Sequence, residues 1–133
     1  MGPVVADTHA ILWYLLASDK ISQNATIALD EATTAGDPVF VASISVVEVV
    51  YLIEKGRLPE VAFERLMDAL TESNSGFTVV PLDFDIIHSI RKIPRNAIPD
   101  LADRISAATA LHIDLPLVTR DRRVQEAGIR TIW

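Results

Sequence analysis

Five short runs of β-branched and apolar residues punctuate the chain, at 4–6, 39–42, 77–80, 115–119 and 130–133, and helix-like segments fill the intervals. Runs such as Val4-Val5-Ala6 and Val39-Phe40-Val41-Ala42 lack polar alternation, the pattern of strands covered on both faces. The intervening segments, 11–16, 23–34, 43–55, 60–73, 83–92, 99–113 and 124–127, carry the spacing and capping residues of helices. Strands that alternate with helices are joined by crossovers, which set the strands parallel and place helices on either side. The chain is therefore predicted to be an α/β protein, a three-layer α/β/α sandwich around a mostly parallel sheet of four to five strands. At 133 residues it has the size of one domain spanning 1–133.

Local chemistry marks the boundaries. Ser22 is suited to cap the second helix, and Gly36-Asp37-Pro38 to turn the chain into the second strand. The segment 43–55 is rich in β-branched residues, but a strand continuing from Val39 to Ile53 would be too long. Ser43 and Ser45 as N-caps and Gly56 as a C-cap favour a helix, apolar nearly all round and so buried in the domain or against a partner. The helix at 60–73 is expected to turn Val61, Phe63, Leu66, Met67 and Leu70 inward. Pro99 fits the start of the alanine-rich helix and Asp100 its N-cap, with Asp103 one turn on along the same face.

Composition narrows the function classes. The chain has no cysteine, which removes disulfides, thiolate catalysis and zinc–thiolate sites together. Mean hydropathy is +0.29, yet charged or polar residues interrupt every apolar run before it reaches spanning length. With no leader-like start either, a cytoplasmic protein is expected, without a membrane contact. The net charge of −6 and pI near 4.9 argue against an overall basic nucleic-acid footprint. The charge is unevenly spread: residues 1–90 hold 4 basic and 13 acidic side chains, and residues 91–133 hold 8 and 5. The basic group of Arg104, Arg120, Arg122, Arg123 and their neighbours is compatible with phosphate contacts or with a solvated surface.

In a parallel sheet, ligands bind outside the carboxyl ends of the strands. Asp7 follows the first strand, Glu48 lies early in the helix after the second, Asp103 opens the helix leading to the fourth, and Asp121 follows that strand. All are predicted to meet at one rim. Each has a plain structural role available: Asp7, Asp100 and Asp121 as helix caps, and Glu48 as the closing member of a Ser45-Val46-Val47-Glu48 capping box. Together, however, crowded carboxylates repel, and a hard divalent cation such as Mg²⁺ or Mn²⁺ relieves the conflict while bridging to phosphate. Metal-assisted attack of water on a phosphodiester is the matching chemistry.

Four segments in order then carry a family resemblance across nearly the whole chain, from Val4 to Trp133: Asp7-Thr8-His9-Ala10-Ile11-Leu12-Trp13, Ser43-Ile44-Ser45-Val46-Val47-Glu48, Pro99 through Ala110, and Pro116-Leu117-Val118-Thr119-Arg120-Asp121. In these the chain resembles a PIN-domain ribonuclease of the VapC toxin type. The resemblance implies that Asp7, Glu48, Asp103 and Asp121 form the acidic quartet that holds Mg²⁺ or Mn²⁺, with Ser43 and Thr119 as supporting hydroxyls. It further implies an endoribonuclease that hydrolyses RNA as the toxin of a toxin–antitoxin pair. Its partners would be RNA, a small cognate antitoxin lying in an apolar groove, and a second copy or hetero-oligomer. Two departures stand out: Leu101 where many relatives have proline, and Val47 where many have an aromatic residue before the glutamate.

His9, His88 and His112 read as core or surface histidines, and Trp13 as core rather than a stacking platform. Arg104 is placed to meet phosphate or a neighbouring acid, and Arg120 and Arg122 to steer phosphate. Two alternatives stay open on the sequence: a catalytically silent RNA- or protein-binding module, and a Mg²⁺-dependent phosphohydrolase for a small molecule. The second lacks an acid two residues after Asp7, where aspartyl-phosphate chemistry wants one.

Overall fold

The computed structural model describes residues 2–133. Its elements are β1 (Val4–Ala6), α1 (Thr8–Leu15), α2 (Gln23–Ala35), β2 (Val39–Ala42), α3 (Ser43–Glu54), α4 (Glu60–Thr71), β3 (Phe77–Val80), α5 (Phe84–Ile90), α6 (Leu101–Ile113), β4 (Leu117–Val118), α7 (Arg122–Glu126) and β5 (Thr131–Ile132). The five strands form one sheet in the order β3-β2-β1-β4-β5, and every neighbouring pair is parallel. β1 is thus the middle strand, fully buried, as its unbroken apolar run requires.

Alternation along β1 divides the core. Val4 and Ala6 pack with Ile11 and Leu12 of α1, Leu29 of α2, Val49 of α3 and Leu66 of α4. Val5 faces the other way and packs with Ile86 of α5, Ala107, Ala108 and Ala110 of α6, and Val124 of α7. Helices therefore cover both faces of the sheet, and the expected three layers are present. The small side chains of α6, buried at Ala107, Ala108 and Ala110, let that helix lie close over β1 and β2.

Strand order places the site. From β1 the chain winds outward through β2 to β3, then crosses back to β4 on the opposite side of β1. The order reverses between β1 and β4, and a crevice at the carboxyl ends of such a pair is where ligands of parallel sheets sit. Asp7 and Asp121 stand just beyond those two strands.

Several local expectations change. Helix α3 follows β2 without a linker: Ala42 is its N-cap residue, with no side-chain cap. Ser43 and Ser45 thus lie within the first turn, and the capping box with Glu48 does not form. The Ser43 hydroxyl accepts the Leu82 N–H at 3.2 Å, and the buried Ser45 hydroxyl has no hydrogen-bond partner. Helix α3 is not enclosed all round: Val47 is 48% and Tyr51 57% exposed. In α4 it is Ala62, Leu66 and Ala69 that are buried, with Phe63, Met67 and Leu70 partly so, whereas Val61 faces solvent. The caps at Ser22 and Asp100 are as expected, accepting the N–H groups of Ala25 and Asp103. Among the described residues no helix is long and apolar enough to cross a membrane.

Candidate active site

A cleft of about 390 Å³ opens at the carboxyl rim of the sheet, lined by Asp7, Glu48, Asp100, Asp103 and Asp121 together with His9, Trp13 and Arg120. All four acids singled out from the sequence are brought into this one space, from the ends of β1 and β4 and from two helices. Asp100 joins them.

Backbone hydrogen bonds fix most of the carboxylates. Asp7 caps α1 by accepting the Ala10 N–H at 3.0 Å. Asp121 caps α7, accepting the N–H groups of Arg123 at 2.8 Å and Val124 at 3.3 Å. Asp100 caps α6 by accepting the Asp103 N–H at 3.0 Å, so its capping role is realised. Thr119, fully buried, ties the two sides together: its hydroxyl hydrogen-bonds the Asp7 carboxylate and accepts the Asp121 N–H at 3.0 Å. Ser43, the other expected hydroxyl, is engaged with Leu82 instead and is not among the residues lining the cleft. Glu48 carries no capping duty and is only half buried, which leaves its carboxylate to the cleft.

The electrostatics are those of acids that no ion pair neutralises among the described residues. Burial pushes the Asp7 carboxyl above its ordinary range; the Thr119 hydroxyl, the Ala10 N–H and nearby His9 pull it back, and Glu48 pushes it up again. The Asp103 carboxyl is pushed up to about 8, first by burial, then by its hydrogen bond with Asp121, and then by the charges of Asp100, Asp121 and Asp7. Burial and the crowd of like charges thus hold the Asp103 proton more tightly than on a free carboxyl.

This donor set suits a hard divalent cation: carboxylate oxygens only, on ordered backbone, at the point where extra positive charge is most favourable. Among the described residues no three His, Asp or Glu side chains already enclose one point as a metal centre does. The acids line a common cleft without being drawn onto a single centre.

Sequence reasoning missed part of the lining. His9 and Trp13 face the cleft from one side of α1, their rings 5.4 Å apart. Their spacing of four residues beside the capping Asp7 is the signal that places them on the same helical face. Of the basic group, Arg120 alone lines the cleft. Arg104 turns away to donate to the Ile93 carbonyl at 3.1 and 2.8 Å and to the Ile90 carbonyl at 3.3 Å, closing the end of α5. Among the described residues it forms no ion pair with a neighbouring acid. Arg130 pairs with Asp114 at 3.1 Å on the surface. Arg122 and Arg123 lie outside the cleft.

Comparison with known proteins agrees with this architecture. The chain is 29% identical over 127 residues to Ribonuclease VapC22 of Mycobacterium tuberculosis, spanning 94% of this chain and 92% of that protein. Its fold resembles VapBC2 from Rickettsia felis bound to a DNA fragment from their promoter, at a TM-score of 0.71 and 13% identity over 97% of this chain and 96% of that one. FitAcB from Neisseria gonorrhoeae gives a TM-score of 0.65 at 21% identity, covering 96% of this chain and 95% of that one. The sequence profile of the PIN domain matches residues 4–129, a span that holds both clusters of the core and every acid of the cleft, and the chain belongs to the PIN domain family.

Proposed function

We propose that the chain is a metal-dependent endoribonuclease that hydrolyses RNA phosphodiester bonds, with Asp7, Glu48, Asp103 and Asp121 holding Mg²⁺ or Mn²⁺. The observation that carries this reading is the meeting, in one cleft, of four carboxylates from four separate elements. The similarity to a protein named a ribonuclease supports the choice of substrate. When bound, the ion supplies an activated water and stabilises charge developing on the phosphate. The residues of the chain prepare its place. Thr119 and the α1 N-terminus fix Asp7, the α7 N-terminus fixes Asp121, and Glu48 keeps an unencumbered carboxylate. At Asp103 a bound cation would favour the ionised carboxyl, opposing the burial and the neighbouring acids that raise its pKa.

The same reading makes the protein the toxin of a toxin–antitoxin pair acting in the cytoplasm, its cleft closed by a small antitoxin. In support, α3 leaves Val47 and Tyr51 uncovered one turn apart on a single face, apolar surface that a partner protein or a second copy would cover. Solved structures of similar fold include one named a toxin–antitoxin complex, from Klebsiella pneumoniae.

Labelled RNA incubated with the purified protein and Mn²⁺, with and without EDTA, tests the proposal, alongside Asp7→Asn. Asparagine keeps the N-cap of α1 while removing the charge. Cutting that requires the ion and is lost in Asp7→Asn is expected. Ion binding without cutting overturns it in favour of a silent binding module, and turnover of a phosphomonoester but not RNA in favour of a phosphohydrolase.

A further inference from the structure

Arg120 is a cation in a cleft of carboxylates that pairs with none of them. Its guanidinium carbon lies 5.4 Å from the centre of the Trp13 ring, its side chain is exposed, and among the described residues it forms no ion pair or side-chain hydrogen bond. An arginine beside acids ordinarily closes on the nearest carboxylate. Held over an indole face instead, it keeps its five N–H donors unspent while its position stays fixed. The indole is fixed in turn: Trp133 packs against it at 5.8 Å with the planes 58° apart, and His9 at 5.4 Å with the planes 46° apart. Three aromatic rings and a guanidinium thus form one group at the lip of the acidic cleft.

A polyanion approaching this cleft meets net repulsion, because one divalent ion does not neutralise the carboxylates that line it. A foothold of fixed positive charge beside the reacting phosphate offsets that repulsion, and a guanidinium fork matches the two non-bridging oxygens of a phosphodiester. We propose that Arg120, held in place by Trp13, is the residue that binds a phosphate of the RNA substrate at the mouth of the cleft. Trp13 is then a positioning residue that acts through Arg120. The inference rests on the nuclease reading above.

Single-turnover cleavage of a single-stranded oligoribonucleotide with Mn²⁺, at KCl from about 50 to 200 mM, separates the two claims, because each phosphate contact to a single strand contributes about 0.7 to the slope of log affinity against log salt. For Arg120→Ala the half-saturating protein concentration is expected to rise about tenfold, with the maximal rate changed far less, and the slope to fall by about 0.7, one phosphate contact. Arg120→Lys retains the slope but not the full affinity. Trp13→Phe stays near wild type because a ring face remains, while Trp13→Leu shifts half-saturation in the direction of Arg120→Ala. Combining Trp13→Leu with Arg120→Ala adds little to Arg120→Ala alone. Thermal unfolding of each variant identifies any that fails to fold; if Trp13→Leu does, the Phe variant and the two arginine variants decide. A wild type that cuts RNA, with Arg120→Ala unchanged in half-saturation and slope, overturns this inference and leaves the nuclease reading standing. A wild type that does not cut RNA with Mn²⁺ overturns both.

Discussion

Replacing Asp103 by asparagine should stabilise the metal-free protein at alkaline pH while weakening its hold on a divalent ion. The carboxyl rises from 3.8 to about 8 in the folded protein because it is partly buried among Asp121, Asp100 and Asp7. The native state therefore binds this proton more tightly than the unfolded chain does. Stability is fully present below the unfolded value and is lost progressively as pH rises toward the folded one. A shift of that size, fully expressed, is ~6 kcal/mol, but the carboxyl is only partly buried and solvent screens it, so about 2 kcal/mol is the expected effect. Urea unfolding followed by circular dichroism in EDTA, at about pH 5 and about pH 8.5, measures it directly. Wild type should lose about 1.5 kcal/mol across that interval, and Asp103→Asn less than half as much. A remaining slope is expected from Asp7, raised in the same direction. Excess Mn²⁺ should restore wild-type stability at the higher pH and leave the variant little changed. Wild-type stability that rises with pH in EDTA, or a variant less stable than wild type at about pH 8.5, would refute the reasoning.

Three further substitutions probe the frame that carries the cleft. Ser45→Ala should raise stability by about 1 kcal/mol in the same unfolding assay, because it removes a buried hydroxyl without a partner and improves helix propensity. A loss instead would mean that the hydroxyl is hydrogen-bonded. Arg104→Ala should cost about 2 kcal/mol by stranding the Ile93 carbonyl, since the Ile90 carbonyl keeps the Ile93 N–H at 3.0 Å. An unchanged midpoint in denaturant would show that those bonds contribute nothing. Ala108→Leu, on the close-packed face of α6, should cost about 2 kcal/mol and also weaken Mn²⁺ binding by displacing Asp103 at the head of that helix. Lost stability with unaltered Mn²⁺ affinity would separate the helix from the site.

Much of this arrangement was legible in the residues. Unbroken apolar runs predicted the strands, and the parallel sheet follows because a helix stands between each pair of them. Asp7 and Asp121 could be placed at one rim because each directly follows a strand. What the pattern concealed was side-chain direction and the length of connections. Ser43 and Ser45 resemble caps, but β2 passes straight into α3 with Ala42 as the cap residue, so both serines fall inside the helix. Val61 matches the apolar stripe of α4, yet the smaller Ala62 and Ala69 face the core. Arg104 sits beside Asp103 in sequence, but successive helical residues point about 100° apart, and its fork reaches the carbonyls ending α5. Trp13 and Arg120 were separable from core and surface only through their mutual contact, which joins α1 to the loop after β4 and leaves no trace in local sequence.

Asp7, Glu48, Asp103 and Asp121 are proposed to hold a divalent ion in common. Titrating Mn²⁺ into the protein by calorimetry, in wild type and in Asp7→Asn, Glu48→Gln, Asp103→Asn and Asp121→Asn, tests it most directly. Wild-type uptake of Mn²⁺, weakened about tenfold or more by each of the four substitutions, is the predicted result. A wild type that takes up no Mn²⁺, or substitutions that leave its affinity untouched while the fold is retained, would contradict it.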